Sequence, residues 1–427
     1  MVRWRIVLLL MATSLVCYFN RISITVAGAE RIMNDYEISP LKMGLVYSSF
    51  LLVYTVFMIP GGWLIDRYGV KPALAVVGFG VGLCVILTGS VGLVTTPALV
   101  FPLLLIIRSA TGLASVPMFP GSARTIAAWM PVSSRARANG LVTACALLGA
   151  AGTFYIFGKM MEWFDWPAAF LISGVVSIVL AILWTLYATN SPAEHAAVND
   201  AELSLIVDRP TPSTSSGSPL PWFALLANRS LILLTISYAA VGYFQYLFFY
   251  WVQYYFKEVL ELGTDRSRLY ATIPNLAMAV GMIAGGWVAD HLCQQFGVRR
   301  GRTTIAVCGM LAGTLFLCLG VAVEDPRWIV AWFSCALAAV GMTEGTFWVT
   351  AVELGGRQGG AAAGIFNTGG NVGGILAPVV TPWIAGSCGW TVALSVAALC
   401  CLLGAVLWIW IKPEERVEVP TILGAIE

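Results

Sequence analysis

The chain has 427 residues, of which 59% are hydrophobic and 11% charged, and its 24 basic and 22 acidic side chains leave a formal charge of +2. Soluble domains carry about 25% charged residues, so this composition excludes an ordinary globular protein and points to one embedded in a bilayer. The near-neutral balance gives no reason to expect a nucleic-acid partner.

A membrane-spanning helix needs about 20 mainly apolar residues. Apolar runs predict twelve of them, at 6–28, 41–65, 72–95, 97–121, 139–160, 167–188, 230–256, 269–291, 303–323, 328–352, 360–386 and 390–411. The basic start followed by the first run imitates a secretory leader. That run is too long, lacks a cleavage site and contains Arg21, so a retained first helix is expected. The longest polar interruption, 189–229, separates six spans from six. Its Pro/Ser-rich stretch 210–221 predicts a mobile linker. The expected fold is therefore all-α, with twelve transmembrane helices in two six-helix bundles. Residues 1–188 form the first bundle, 189–229 the linker, and 230–427 the second bundle with a short tail.

An internal repeat supports that division. Gly61-Gly62-Trp63-Leu64-Ile65-Asp66 returns as Gly285-Gly286-Trp287-Val288-Ala289-Asp290, each copy closing the second helix of its half and leading into a basic turn. Half-chain repeats are the sequence trace of transporters built from two related bundles around a central site. With the N-terminus placed in the cytoplasm, fifteen Lys and Arg residues fall on the cytoplasmic side and six on the other. The expected orientation has both termini and the linker in the cytoplasm.

A few charged side chains stand inside the apolar runs. Arg21 and Arg108 cannot discharge themselves by losing a proton, so at membrane depth each must face a polar cavity or a partner. The planar guanidinium fork matches a carboxylate or a phosphate, and the pair predicts an anion site. Glu344, in the tenth span, lies four residues before Trp348 and so on the same helical face. Charging a carboxylate in a dry environment is costly, which makes it a candidate proton-carrying group; otherwise it pairs with an arginine or reaches water near a helix end. Tyr243, Tyr246, Tyr250 and Gln253 repeat at helical spacing, as either a cavity lining or a packing stripe. Asn367 and Asn371 lie one turn apart in a Gly-rich eleventh span. Lys159 is expected to snorkel to the interface near Glu162.

Enzyme chemistry lacks material. The two histidines are His195 in the linker and His291 in a loop, and no phosphate-binding loop, nucleophile elbow or metal-ligand spacing occurs. No cofactor, no metal and no nucleotide-driven pump are expected. The ten cysteines have no paired spacing and read as small packing residues.

The run Gly62-x-x-x-Asp66-Arg67-x-Gly69-x-Lys71 resembles the loop signature of the major facilitator superfamily, with a degraded second copy at Asp290. The resemblance implies that fold and a cytoplasmic gate formed around Gly62, Asp66, Arg67, Gly69 and Asp290. Tyr18-Phe19-Asn20-Arg21-Ile22-Ser23-Ile24-Thr25-Val26-Ala27 is similar to the first-helix signature of the anion:cation symporter family, which includes galactonate, glucarate, hexuronate and phthalate permeases. Tyr54 with Ile59-Pro60-Gly61-Gly62-Trp63, Arg108-x-x-x-Gly112, Phe119-Pro120-Gly121, Trp348 and Gly364-Ile365-Phe366-Asn367 continue the match.

That resemblance implies a monomeric, inner-membrane secondary transporter of small organic anions, with a coupled proton or sodium ion. Arg21 and Arg108 would hold the substrate carboxylate, while Tyr18, Tyr54, Trp348 and Asn367 would contact its hydroxyls and carbon chain. Asn20 and Ser115 stand where the sugar-acid permeases carry their proton-titrating acids, and neither can titrate. An organophosphate:phosphate antiporter, a drug or metabolite exporter and a non-transporting ligand sensor are the alternatives.

Overall fold

The protein is described as a computed structural model covering residues 2–206 and 222–414; the stretch 210–221 expected to be a mobile linker lies outside the described residues. Helices make up nearly all of what is described, and no strand occurs among those residues. Nine helical stretches among them are long and apolar enough to cross a bilayer. Two expected spans, 139–160 and 167–188, lie in one of these, Arg137–Tyr187. Within it Asp165 leaves the helical region (φ 63°, ψ 163°), two residues before Pro167 removes a backbone donor.

In chain order the helices are α1 (Val2–Ala27), α2 (Pro40–Val56), α3 (Met58–Tyr68), α4 (Val70–Ser90), α5 (Pro97–Ser115), α6 (Met118–Trp129), α7 (Val132–Tyr187), α8 (Asp200–Ile206), α9 (Arg229–Tyr254), α10 (Thr264–Phe296), α11 (Val298–Ala322), α12 (Pro326–Gly341), α13 (Glu344–Leu354), α14 (Gly359–Cys388) and α15 (Trp390–Leu407). A π-helical turn, Gly28–Ile32, extends α1.

Three expected spans are broken. The stretch 41–65 divides at Phe57 into α2 and α3, because Pro60 can neither donate to nor avoid the carbonyl of Val56. The stretch 97–121 divides into α5 and α6, with Pro117 preceding the second piece. The stretch 328–352 divides at Met342–Thr343 into α12 and α13. No proline explains this third break, but glycines 341 and 345 flank it.

The chain packs as two compact units. The first comprises Met1–Ser213, Phe248–Leu276 and Pro378–Trp383, and the second Thr214–Leu247, Ala277–Ala377 and Ile384–Glu427. In the first unit α2 and α5 cross closely. A Cβ on Gly112 would lie 2.3 Å from the Phe50 carbonyl oxygen, so only glycine lets the two backbones meet there. Part of the linker is ordered as α8. Glu202 on this helix is buried and accepts the backbone N–H groups of Val2 (3.0 Å) and Arg3 (3.1 Å), capping the start of α1.

The repeated Gly-Gly motif behaves alike in its two copies. A Cβ on Gly61 would strike the Val116 side chain, and one on Gly285 would strike the Met342 backbone. The second glycines, Gly62 and Gly286, face open space. Close helix packing in the motif therefore falls on its first glycine, because only that face meets a neighbouring helix. Gly69 and Gly297 separate the consecutive helices at the two basic turns with positive φ (89° and 82°), which glycine adopts at no steric cost.

The cysteines divide between packing and surface. Cys17, Cys84 and Cys401 are buried, whereas Cys308, Cys318, Cys335 and Cys388 are exposed and so correct the reading of all ten as packing residues.

Candidate functional site: a buried arginine pair and a buried carboxylate

Arg21 stands near the end of α1 and Arg108 in the middle of α5, and both are buried. The crossing at Gly112 sets Arg108 beside Phe50. Arg108 lies one turn before that glycine, and its guanidinium sits over the Phe50 ring at 5.0 Å from the centroid. The Arg21 guanidinium lies over the same ring at 4.8 Å. Arg108 Nη2 also donates to the Arg21 carbonyl oxygen at 3.0 Å. One phenyl ring thus serves two cations through its negative faces, worth about 0.5–2 kcal/mol for each pair. Among the described residues Arg108 pairs with no carboxylate.

The aromatic surroundings are those of the first unit. Arg21 Nη1 donates to the Tyr18 hydroxyl at 3.3 Å, and the Tyr18 ring meets Phe119 edge-on. Tyr54 stacks on Phe50 with centroids 6.1 Å apart. Tyr47, fully buried, stacks on Tyr250 at 4.9 Å. The structure therefore gathers Arg21, Arg108, Tyr18 and Tyr54 around Phe50, which sequence reasoning missed. A lone phenylalanine in an apolar run carries no signal of this role.

The two positions that depart from the symporter pattern have other work. Asn20 Nδ2 donates to Ser177 Oγ at 2.8 Å, tying α1 to the second arm of α7. Ser115 bonds back to the Thr111 carbonyl at 2.7 Å.

Glu344, Trp348 and Asn367 belong to the second unit. Glu344 is the first residue of α13 and is 8% exposed. Its Oε1 accepts Tyr238 Oη–H at 2.5 Å and Trp348 Nε1–H at 3.0 Å, and its Oε2 accepts Gln245 Nε2–H at 3.2 Å. Among the described residues it pairs with no arginine, one of the roles open to it from sequence. Tyr238 and Gln245 lie seven residues apart on α9 and so on one face. Trp348 meets Phe366 edge-on at 5.2 Å. Asn367 follows on α14 and is half-buried.

Two members of the polar stripe on α9 have structural partners. Gln253 Nε2 donates to Glu30 at 2.6 Å, and Tyr250 carries the stack on Tyr47. Lys159 meets Glu162 at 2.9 Å as expected and Asp265 at 2.7 Å as well. At the motif turn, the Arg67 guanidinium lies over the Trp63 and Tyr68 rings at 5.2 and 5.6 Å. Asp290 is exposed, and the side chain of Asp66 lies outside the described residues.

The family model of the Major Facilitator Superfamily matches residues 9–361. The chain belongs to that superfamily. It is a transporter and no enzyme, and its fold is the major facilitator fold. It is 29% identical over 412 residues to the probable galactarate/D-glucarate transporter of Bacillus subtilis (strain 168), with 91% of this chain and 87% of the relative covered. To the D-galactonate transporter of Escherichia coli O6:H1 it is 28% identical, covering 97% and 96%. To the probable sulfoacetate transporter of Cupriavidus necator it is 27% identical, covering 95% and 93%. Among solved structures it resembles a bacterial homologue of the human lysosomal transporter Spinster, with a TM-score of 0.74 and 17% identity over 96% of this chain and 97% of that one.

Proposed function

We propose that this transporter carries a small hydroxylated organic monoanion, first a hexonate- or hexuronate-type sugar acid, across a bacterial inner membrane by ion-coupled uptake. The observation that carries the reading is Arg108, a buried guanidinium whose partners are a backbone carbonyl and a phenyl ring and not an acid. A permanent cation in such a place is costly unless an anion joins it during function. The likeness to galactarate/D-glucarate, galactonate and sulfoacetate transporters supports a carboxylate or sulfonate ligand.

In this reading Arg21 and Arg108 grip the acid group, and Tyr18 and Tyr54 meet its near hydroxyls. Trp348 and Asn367 serve the rest of the carbon chain. Residues 1–188 rock against 230–411 about a midplane site, while 189–229 joins them on the cytoplasmic side with both termini. The motif residues Gly62, Asp66, Arg67, Gly69 and Asp290 serve the cytoplasmic gate, and the protein works as a monomer.

The test is a ligand-stabilisation screen followed by transport. Purified protein is expected to gain thermal stability with D-galactonate or D-glucarate, since a ligand bound by the folded state alone stabilises it by mass action. Arg108→Lys keeps the charge and loses the fork, so it should insert normally and lose most uptake; each charge-assisted hydrogen bond is worth about 1.5–3 kcal/mol. Near-normal uptake by Arg108→Lys would overturn the clamp.

A further inference from the structure

The second unit contains a buried acid for which an anion clamp gives no use. Glu344 opens the second half of a broken span, where α12 ends at Gly341 and α13 restarts after a two-residue turn. Half-helix starts inside a bilayer present unpaired backbone N–H groups and a positive dipole end, which favour a carboxylate. Three neutral donors from two helices reach it, those of Tyr238, Gln245 and Trp348. Among the described residues no cation pairs with it.

The donor set also limits what the carboxylate can bind. Oε1 holds two donors and Oε2 one, so of about four lone-pair positions one on Oε2 is left. The indole N–H and the amide NH2, as they are oriented here, offer hydrogens and no lone pairs. A sodium ion needs several oxygen ligands and would find them displaced by hydrogens, whereas a proton needs one lone pair. The remaining titratable groups facing this place are Tyr238 and, beside it on the same helix, Tyr246. Helix α14 contributes the Phe366 ring, and the Arg302–Glu353 ion pair lies nine residues further along α13.

We infer that Glu344, framed by Tyr238, Gln245 and Trp348, is a proton-binding site that supplies the coupling ion missing from Asn20 and Ser115. The inference rests on the transport reading above and adds to it where the coupling ion is held. The step is simple in its balance. One aqueous proton binds Oε2, a carboxylate becomes a carboxylic acid, and no other bond forms or breaks. Trp348 Nε1–H and Tyr238 Oη–H then donate to a neutral acceptor in place of a charged one, and such bonds are weaker. Proton occupancy therefore sets how firmly Trp348 is anchored, and its ring, 37% exposed, is the part of this cluster open to its surroundings. One proton with one monoanion leaves the net charge moved at zero.

The experiment uses the full chain in liposomes with D-galactonate and D-glucarate as probes, together with infrared difference spectra of the substrate-free protein across a pH series. Wild type should show the carbonyl-stretch band of a protonated carboxyl, and Glu344→Gln should lose it. Glu344→Gln should also lose accumulation driven by a pH gradient while keeping exchange of labelled against unlabelled substrate at equal pH. An unchanged infrared band, retained gradient-driven accumulation, or accumulation that needs sodium and ignores the pH gradient would each overturn the site. If Glu344→Gln does not fold, Glu344→Asp takes its place. Its shorter arm cannot keep all three donors, so the pH profile of uptake should move, and an unmoved profile overturns the inference. Failure of the transport reading looks different, since wild type would then exchange neither acid while the infrared band still decides the fate of Glu344.

Discussion

Arg268 and Glu30 lie 238 residues apart in sequence and form a two-pronged ion pair inside the first unit. Arg268 Nε meets Oε1 at 2.7 Å and Nη2 meets Oε2 at 2.6 Å, with the side chains only 2% and 6% exposed. The pair joins the π-helical turn after α1 to the first turns of α10. Glu162 completes the cluster by accepting from Arg268 Nη1, and Gln253 adds a donor to Glu30. The lack of a side chain at Gly158 makes room, since a Cβ there would lie 2.2 Å from Arg268 Nε. Removing one member of a buried pair strands the other. Arg268→Ala should therefore lower stability by about 3–5 kcal/mol, read as a fall in the thermal unfolding midpoint in detergent. The double variant Glu30→Gln with Arg268→Gln should recover part of that loss. A single variant as stable as wild type would show that the cluster contributes nothing to the fold.

The crossing at Gly112 is the second place where one atom decides. Gly112→Ala puts a methyl group 2.3 Å from the Phe50 carbonyl, which is backbone and cannot swing aside. Helices α2 and α5 must separate, at a cost typical of overpacking, about 1–3 kcal/mol. Because Phe50 and Arg108 sit on those two helices, substrate affinity should fall together with the unfolding midpoint. Unchanged affinity in a folded Gly112→Ala protein would separate the crossing from the arginine pair.

Much of this was legible in the sequence, and the remainder was hidden for identifiable reasons. Apolar runs located the spans because burial in lipid needs a continuous length of apolar residues. They could not locate the breaks at Phe57, Val116 and Met342, since a hydropathy window averages across a turn that is itself apolar. Pro60 and Pro117 did carry a signal for the first two. The arginines stood out because charge is rare in such runs, whereas Phe50 is chemically ordinary there. Arg268 stands just before the apolar run 269–291; it is a buried residue of α10, and only the fold brings Glu30 to it. Tyr238 and Gln245 share a face at seven-residue spacing. That spacing is visible in sequence, but its target on α13 is not.

Glu202 gives a prediction that depends on pH. Burial alone would raise its carboxyl pKa. The backbone donors of Val2 and Arg3, with the Arg3 charge, outweigh burial and hold it below the usual carboxylate value. A group whose folded pKa is depressed contributes stability that is present above its unfolded pKa and lost as pH falls through the folded one. At neutral pH Glu202→Gln should therefore unfold at a lower temperature than wild type. The two curves should converge as the medium is acidified below the normal carboxylate range. A constant gap across the acid range would mean that the cap acts through shape and not through charge.

Phe50 offers the sharpest test of how the arginine pair is held. Its ring is 1% exposed and lies under both guanidiniums, so it holds two like charges near one another without neutralising either. An acid partner would cancel the positive field that an incoming anion needs, whereas a quadrupole attracts the cations and leaves their charge in place. Phe50→Leu keeps most of the bulk and loses the quadrupole. At about 0.5–2 kcal/mol for each cation, losing both should raise the KM for a sugar acid by roughly one to three orders of magnitude, with kcat less affected. Phe50→Tyr keeps a ring face and should stay close to wild type if its hydroxyl is accommodated. The decisive comparison is made between folded variants with matched unfolding midpoints. A Phe50→Leu protein with wild-type KM would reduce the ring to packing, and the placement of the arginines would then rest on other contacts, the Arg108 bond to the Arg21 carbonyl and the Arg21 bond to Tyr18 among them.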